Sequence, residues 1–335
     1  MRAMILDEIA LIESSPLRLG EHATPQPGPG EVRLKVRCCA ICRTDLHVIE
    51  GELPRRTLPI IPGHQIVGLV DALGPGCRRL KAGQRVGVAW LRHTCGTCDF
   101  CRCGRENLCE SARFTGYHAD GGYAEYAVVP EEFAYEIPPV FEDVEAAPLL
   151  CAGIIGYRAL KRCDLRSGNR LALYGFGSSA HVVLQIARHR GCEVYVVSRA
   201  PRHLELARSM GAVWAGGDAR QMPVRADSAI IFAPAGNLYL DALRVLDRGG
   251  TVASAGIYMS PIPELDYGRY LYQERTMLSV ANATRADGEE LLKIAAEIPI
   301  RTIVETYRLE HANEALRLLK SGKVIGAAVL KIGMS

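Results

Sequence analysis

The sequence predicts an α/β protein in two parts: an irregular β-rich region, then a doubly wound parallel sheet covered by helices. Three observations carry this. Residues 1 to about 150 hold short β-type runs cut by proline and glycine. Residues 153 to about 283 alternate short apolar strands with amphipathic helices. The 335 residues are 48% hydrophobic and 23% charged, which is enough apolar surface for two ordinary domains.

In the first part, Val32–Val36 and Ile66–Leu73 read as strands. Turns such as Gly28-Pro29-Gly30 and Gly74-Pro75-Gly76 separate them, and Gly83–Val88 reads as a turn entering a strand. A structureless region of that length is rare in a compact domain, so an irregular barrel is expected over residues 1–152.

In the second part, 153–283, Arg170–Tyr174 is a strand. Ser178–Arg190 is a helix with Ala180, Val183, Leu184 and Ala187 on one face. Glu193–Val197 is a strand, and Pro201–Met210 a helix opened by proline. Ser228–Phe232, Leu238–Leu246 and Thr251–Ala255 continue as strand, helix and strand. Links this short force a parallel sheet wound with helices. Residues 284–335 add helices at Asp287–Glu297 and His311–Ser321 and a strand at Ala327–Ile332, expected to return to the first part.

Charge excludes several partners. Forty basic residues stand against 37 acidic ones, with no long run of either sign. That makes no case for nucleic acid or a membrane surface. Met1–Ala10 lacks an apolar core of signal-peptide length, and no stretch approaches the roughly 18 apolar residues of a membrane span. A cytoplasmic location is expected.

Twelve cysteines are unusual, and five fall between Cys95 and Cys109. Cys95, Cys98, Cys101 and Cys109, in a loop at 93–110, spell C-x2-C-x2-C-x7-C. Two-residue gaps let a tight turn aim successive thiolates at one point. Four thiolates with no open position suit a structural zinc. An iron–sulfur cluster uses the same ligands, but nothing else in the chain suggests electron transfer. Cys103 reads as a bystander, and Cys38, Cys39, Cys77, Cys163 and Cys192 as small apolar residues.

Gly175-Phe176-Gly177-Ser178-Ser179-Ala180 fits G-x-G-x-x-A between a strand and a helix. The glycines permit a tight turn and let a pyrophosphate approach the helix N-terminus, whose free N–H groups favour anions. At the end of the next strand stand Ser198 and Arg199, then Arg202, with no acid before Glu205. An acid there would bind the ribose 2′-hydroxyl of NAD, whereas arginines suit the 2′-phosphate, so NADP(H) is favoured over NAD(H).

Cys42, His64 and Cys151 could form a Cys2His set, which leaves a fourth zinc position open. Spacing alone does not bring them together. However, Cys42-x-Thr44-Asp45-x-His47, the stretch Gly63-His64-x3-Gly68-x5-Gly74, the four-cysteine loop and the later glycine-rich turn occur in an order that resembles the zinc-containing medium-chain alcohol dehydrogenases. The match runs along nearly the whole chain.

That resemblance implies a GroES-like catalytic domain and a Rossmann-type cofactor domain. Cys42, His64 and Cys151 would hold a catalytic zinc, making two zinc ions per chain with the structural one. Thr44 would take the proton of the alcohol and pass it through the cofactor ribose to His47 near the surface. Asp45 would hydrogen-bond His64, and Arg43 would reach the pyrophosphate. Relatives associate through the cofactor domain, so a homodimer or homotetramer is expected, with Thr276–Val280 a candidate edge.

The chain departs from the family at three places. Gln65 stands where a glutamate is usual, which makes the site behind the metal less negative by one charge. Gln84 stands where aspartate is common, and Ala327 where many relatives carry a phosphate-binding arginine. Trp90 is expected to border the substrate cavity and narrow it towards primary alcohols and aldehydes. A zinc-free quinone or enoyl reductase shares this fold, but has little use for the three ligands and the Thr44–His47 pair. A non-catalytic zinc-binding relative is the third reading, to which only Gln65 and Ala327 point.

Overall fold

A computed structural model of the protein describes residues 1–54 and 57–333. It divides into two compact units. One comprises residues 1–151, 284–296 and 301 onwards; the other comprises 152–283 and 297–300. Among the described residues, no helix is long and apolar enough to cross a membrane.

The first unit is built on a seven-stranded sheet. Its long central strand, Glu31–Ile41, alternates buried and more exposed positions along its first half, as expected when one face packs on a core. It pairs antiparallel with Gln65–Leu73 on one side and with Ala327–Lys331 on the other, while Tyr126–Pro130 pairs with its first half. Register shifts between Arg33 and Leu34 and between Val36 and Cys38 bend it. The C-terminal strand Ala327–Lys331 thus completes the sheet begun by residue 31. Arg85–Val88 and Ala134–Glu136 extend the other side. The apolar faces enclose Leu34, Ile41, Ile49, Ile61 and Ile66, all nearly inaccessible to water.

Glycine decides how tightly this unit closes around residue 63. Gly63 itself has φ +95, and a Cβ there would collide with the Tyr123 ring. A Cβ on Gly121 would lie 2.0 Å from the Gly63 carbonyl oxygen. The 115–123 segment therefore wraps directly over the backbone that leads into His64.

The second unit is a six-stranded, wholly parallel sheet. Across it the strands run Trp214–Gly216, Glu193–Val197, Arg170–Tyr174, Ala226–Ile231, Leu246–Ser254 and Thr276–Ser279. The order reverses between the third and fourth of these. A crevice opens at the carboxyl ends of strands at such a switch point, and it is where this fold takes a ligand. Most strands begin or end within one or two residues of the positions read from periodicity. Trp214–Gly216, only three residues long, is an addition, and Leu246–Ser254 starts five residues earlier than Thr251. Helices Ala152–Arg162 and Ser178–His189 pack closely because Gly156 has no Cβ; one would come within 2.6 Å of Val183 Cγ2.

Candidate functional site

The first cluster is positioned by strand pairing. Glu31–Ile41 runs directly into Cys42, and His64 runs directly into Gln65–Leu73. The two strands are antiparallel neighbours, with Ala40 opposite Gln65 and Cys39 opposite Ile66. The end of one is therefore beside the start of the other, which brings Cys42 to His64. Cys151 arrives from a buried 3-10 turn, Ala147–Leu150. A Cβ on Gly87 would strike Leu150 at 2.7 Å, so that glycine makes the room in which the turn sits.

Cys42 Sγ lies 3.3 Å from His64 Nε2 and 4.0 Å from Cys151 Sγ. The three ligand atoms lie within 4.8 Å of one another. Behind them, Asp45 Oδ1 is 3.1 Å from His64 Nδ1, and Oδ2 accepts the Cys42 backbone N–H at 2.8 Å. Cys42 is also the N-cap of helix Arg43–Ile49 and accepts the Thr44 N–H on its sulfur at 3.3 Å.

Electrostatics favour a cation here. Burial lowers the proton affinity of His64, but the facing Asp45 and Cys42 more than reverse this and push it up to about 10. Such a pocket has a strong demand for positive charge, and Nε2 between two sulfurs is where a metal would replace the proton. A sulfur–sulfur–nitrogen donor set with a carboxylate orienting the imidazole suits zinc.

Gln65 is 1% exposed, and its Nε2 has no hydrogen-bond partner among the described atoms. Thr44 is half-buried and Arg43 exposed. His47, expected near the surface, is instead 7% exposed, because helix Arg43–Ile49 turns it inward; its Nδ1 contacts Glu52. Sequence reasoning missed Glu52, which only the glycine at 51 could have suggested. Trp90 is 9% exposed. It stacks on Phe114 and Tyr117 at 5.0 and 5.7 Å between ring centroids, and meets the His64 ring at 4.9 Å and 74°. Those two stacking partners were also not foreseen.

The second cluster holds Cys95, Cys98, Cys101 and Cys109, again with ligand atoms within 4.8 Å. Cys95 Sγ is 3.9 Å from Cys101 Sγ and 3.6 Å from Cys109 Sγ. Backbone N–H groups of Thr97 and Cys98 lower the Cys95 thiol to about 6, the thiolate form a metal requires. Cys103 is exposed and outside the group. Arg285 grips Glu106 within this loop through paired bonds at 2.7 and 3.1 Å.

In the second unit, the glycine-rich turn follows strand Arg170–Tyr174 at the switch point. Gly175 has φ +88, and a Cβ there would press on Ala233 at 3.3 Å. A Cβ on Gly177 would meet nothing within 4 Å, leaving a cradle open in front of the helix N-terminus. No side chain caps that helix, so its first N–H groups can receive an anion. Ser178 and Ser179 are half-buried. Phe176 and Ala180 are 1% and 0% exposed, so their side chains belong to the core and only their backbone could face a ligand. Ser198 is buried, while Arg199 and Arg202 are exposed. Ala327 lies in the first unit's sheet, 2% exposed.

The family profile described as "Alcohol dehydrogenase GroES-like domain" matches residues 28–139, and that described as "Zinc-binding dehydrogenase" matches residues 180–297. A Mycobacterium tuberculosis protein described as a probable alcohol dehydrogenase is 48% identical over 326 residues, covering 96% of this chain and 94% of its own. A solved structure of a cobalt- and zinc-bound thermostable alcohol dehydrogenase from Pyrobaculum aerophilum superposes with a TM-score of 0.90 at 28% identity, covering 99% of both chains. A cinnamyl alcohol dehydrogenase from Sorghum bicolor gives the same score and identity, covering 100% of this chain and 99% of its own.

One titration follows from the glycine-rich turn. His181 is wholly buried, and its Nδ1 faces the Gly177 carbonyl at 3.1 Å. Burial pulls its proton affinity from 6.5 down to about 4, so it is neutral in the fold. The unfolded chain protonates first. Stability from this group is therefore complete above pH 6.5 and lost as pH falls towards 4, at up to about 1.4 kcal/mol per pH unit. Urea unfolding of wild type and His181→Gln across that window should diverge, with wild type losing stability more steeply; parallel curves would refute this.

Proposed function

The chain belongs to the zinc-containing medium-chain alcohol dehydrogenases, and on that premise we propose that it catalyses reversible hydride transfer between a small alcohol or aldehyde and a nicotinamide cofactor, with zinc. One observation carries the reading. Three side chains from distant stretches, Cys42, His64 and Cys151, converge their ligand atoms within 4.8 Å, with a buried carboxylate behind the imidazole.

Cys42, His64 and Cys151 would hold the catalytic zinc, and the four-cysteine loop a structural one. When bound, the catalytic ion supplies Lewis-acid chemistry, lowering the pKa of a hydroxyl and polarising a carbonyl. The chain's own residues do the rest. Asp45 orients the His64 ring and keeps Nε2 pointed at the two sulfurs. Thr44 would accept the proton from the alcohol hydroxyl, and His47 would be the group that carries it out of the site. Gln65 adds no charge behind the site, unlike a glutamate. A zinc-free quinone or enoyl reductase would leave this donor set without a purpose.

The cofactor's pyrophosphate would lie over Gly175 to Ala180, in the space kept open at Gly177. Ser198, Arg199 and Arg202 favour NADP(H), since two exposed guanidiniums suit a phosphate and no acid precedes Glu205. Trp90, against the His64 ring, would narrow a substrate cavity there and favour primary alcohols and aldehydes. A dimer or tetramer would form through the cofactor unit, where Thr276–Ser279 is an edge strand.

Metal analysis of the wild type should return two zinc ions per chain, and Cys42→Ser should return one and abolish aldehyde reduction. A wild type free of metal but fully active would overturn the zinc dependence. The Michaelis constant for NADPH should be below that for NADH, and Arg199→Ala should narrow the gap; a strong preference for NADH rejects the cofactor assignment. Trp90→Ala should raise kcat/KM for secondary relative to primary alcohols, and an unchanged ratio argues against its role in the pocket.

A further inference from the structure

Helix Arg43–Ile49 reaches its C-cap at Glu50, and Gly51 then takes φ +76, a left-handed conformation suited to glycine. A Cβ at Gly51 would also come within 2.6 Å of Ile9 Cγ2. This turn folds the chain back, so that the Glu52 N–H bonds to the His47 carbonyl at 3.0 Å. It delivers the Glu52 carboxylate onto His47 Nδ1. The His47 side chain is 9% exposed and that of Glu52 40%. A buried imidazole is thus held by a carboxylate that itself reaches water.

A neutral imidazole carries its proton on one nitrogen and a lone pair on the other, whereas an ionised carboxylate can only accept. The nitrogen facing Glu52 must then be the N–H. We propose that Glu52 is a positioning residue for the proton relay: it fixes the Nδ1–H tautomer of His47 and so leaves Nε2 as the nitrogen that accepts the proton. This rests on the relay through Thr44 and His47 proposed above.

The step balances. The C–H bond of the alcohol breaks, and its electron pair leaves as hydride to the oxidised nicotinamide. The O–H bond breaks, the C=O bond forms, and the proton makes an N–H bond at Nε2. The resulting imidazolium faces the Glu52 carboxylate, and the proton then passes to water. Without Glu52, His47 would spend part of its time with the proton already on Nε2, where it blocks acceptance.

The experiment compares zinc-loaded wild type, Glu52→Gln, Glu52→Asp, His47→Gln and the double variant of Glu52→Gln with His47→Gln. The tautomer of His47 is read from the 15N–1H spectrum of its imidazole, and kcat and KM from alcohol oxidation. Wild type should show the Nδ1–H form, and Glu52→Gln a mixture. In Glu52→Gln, kcat should fall about tenfold, a modest part of what acid–base groups contribute, with KM for the alcohol unchanged. Glu52→Asp should recover most of the loss, and the double variant should be no slower than His47→Gln. An unaltered tautomer in Glu52→Gln, or an equal further loss in the His47→Gln background, overturns the proposal. A wild type that oxidises no alcohol would instead refute the proposed function, and the spectrum would still decide whether Glu52 sets the tautomer.

Discussion

The Asp45 carboxylate is the contact on which the site depends. One oxygen accepts the backbone N–H of Cys42 and the other faces His64 Nδ1, so a single side chain fixes one candidate ligand's backbone and another's ring. Asp45 is 1% exposed. A buried carboxylate is costly unless its oxygens are well partnered, and burial accordingly raises its pKa. Loss of either partner would leave a charge stranded in the core. The helix start, the imidazole orientation and the burial of the charge therefore stand or fall together.

The surrounding fold makes that contact possible. Pairing of Glu31–Ile41 with Gln65–Leu73 places Cys42 and His64 side by side, and the bare backbones of Gly63, Gly87 and Gly121 let neighbouring segments close over them. Trp90 meets the His64 ring edge to face and is itself backed by Phe114 and Tyr117. The second unit solves a separate problem. Its parallel strands end at a switch point where a glycine turn leaves helix N–H groups uncapped, an arrangement suited to a phosphate. One sheet thus gathers candidate metal ligands from distant stretches, and the other leaves a helix N-terminus open beside a local glycine turn.

Local rules also explain what was legible in the sequence. The four-cysteine cluster could be read outright, because its ligands lie within one loop and their spacing dictates convergence. Strands such as Arg170–Tyr174 and Glu193–Val197 were readable to the residue, since short links and apolar runs leave few alternatives. Trp214–Gly216 was not: three residues beginning with a tryptophan carry no periodicity. The convergence of Cys42, His64 and Cys151 could be inferred only from family order, because strand register and a distant 3-10 turn set it. The burial of His47 and its contact with Glu52 were invisible for a similar reason. They depend on a single left-handed glycine after the helix, and on which face of that helix meets the core.

The most direct test of this account is the metal affinity of Asp45→Asn, measured by competition with a chromophoric chelator and by the absorption of bound cobalt. An asparagine keeps the shape but surrenders the charge that orients and polarises His64. The account predicts binding at Cys42, His64 and Cys151 weakened by about 10–100-fold, with the four-cysteine site unchanged. Equal affinity at both sites in the variant and the wild type would contradict it.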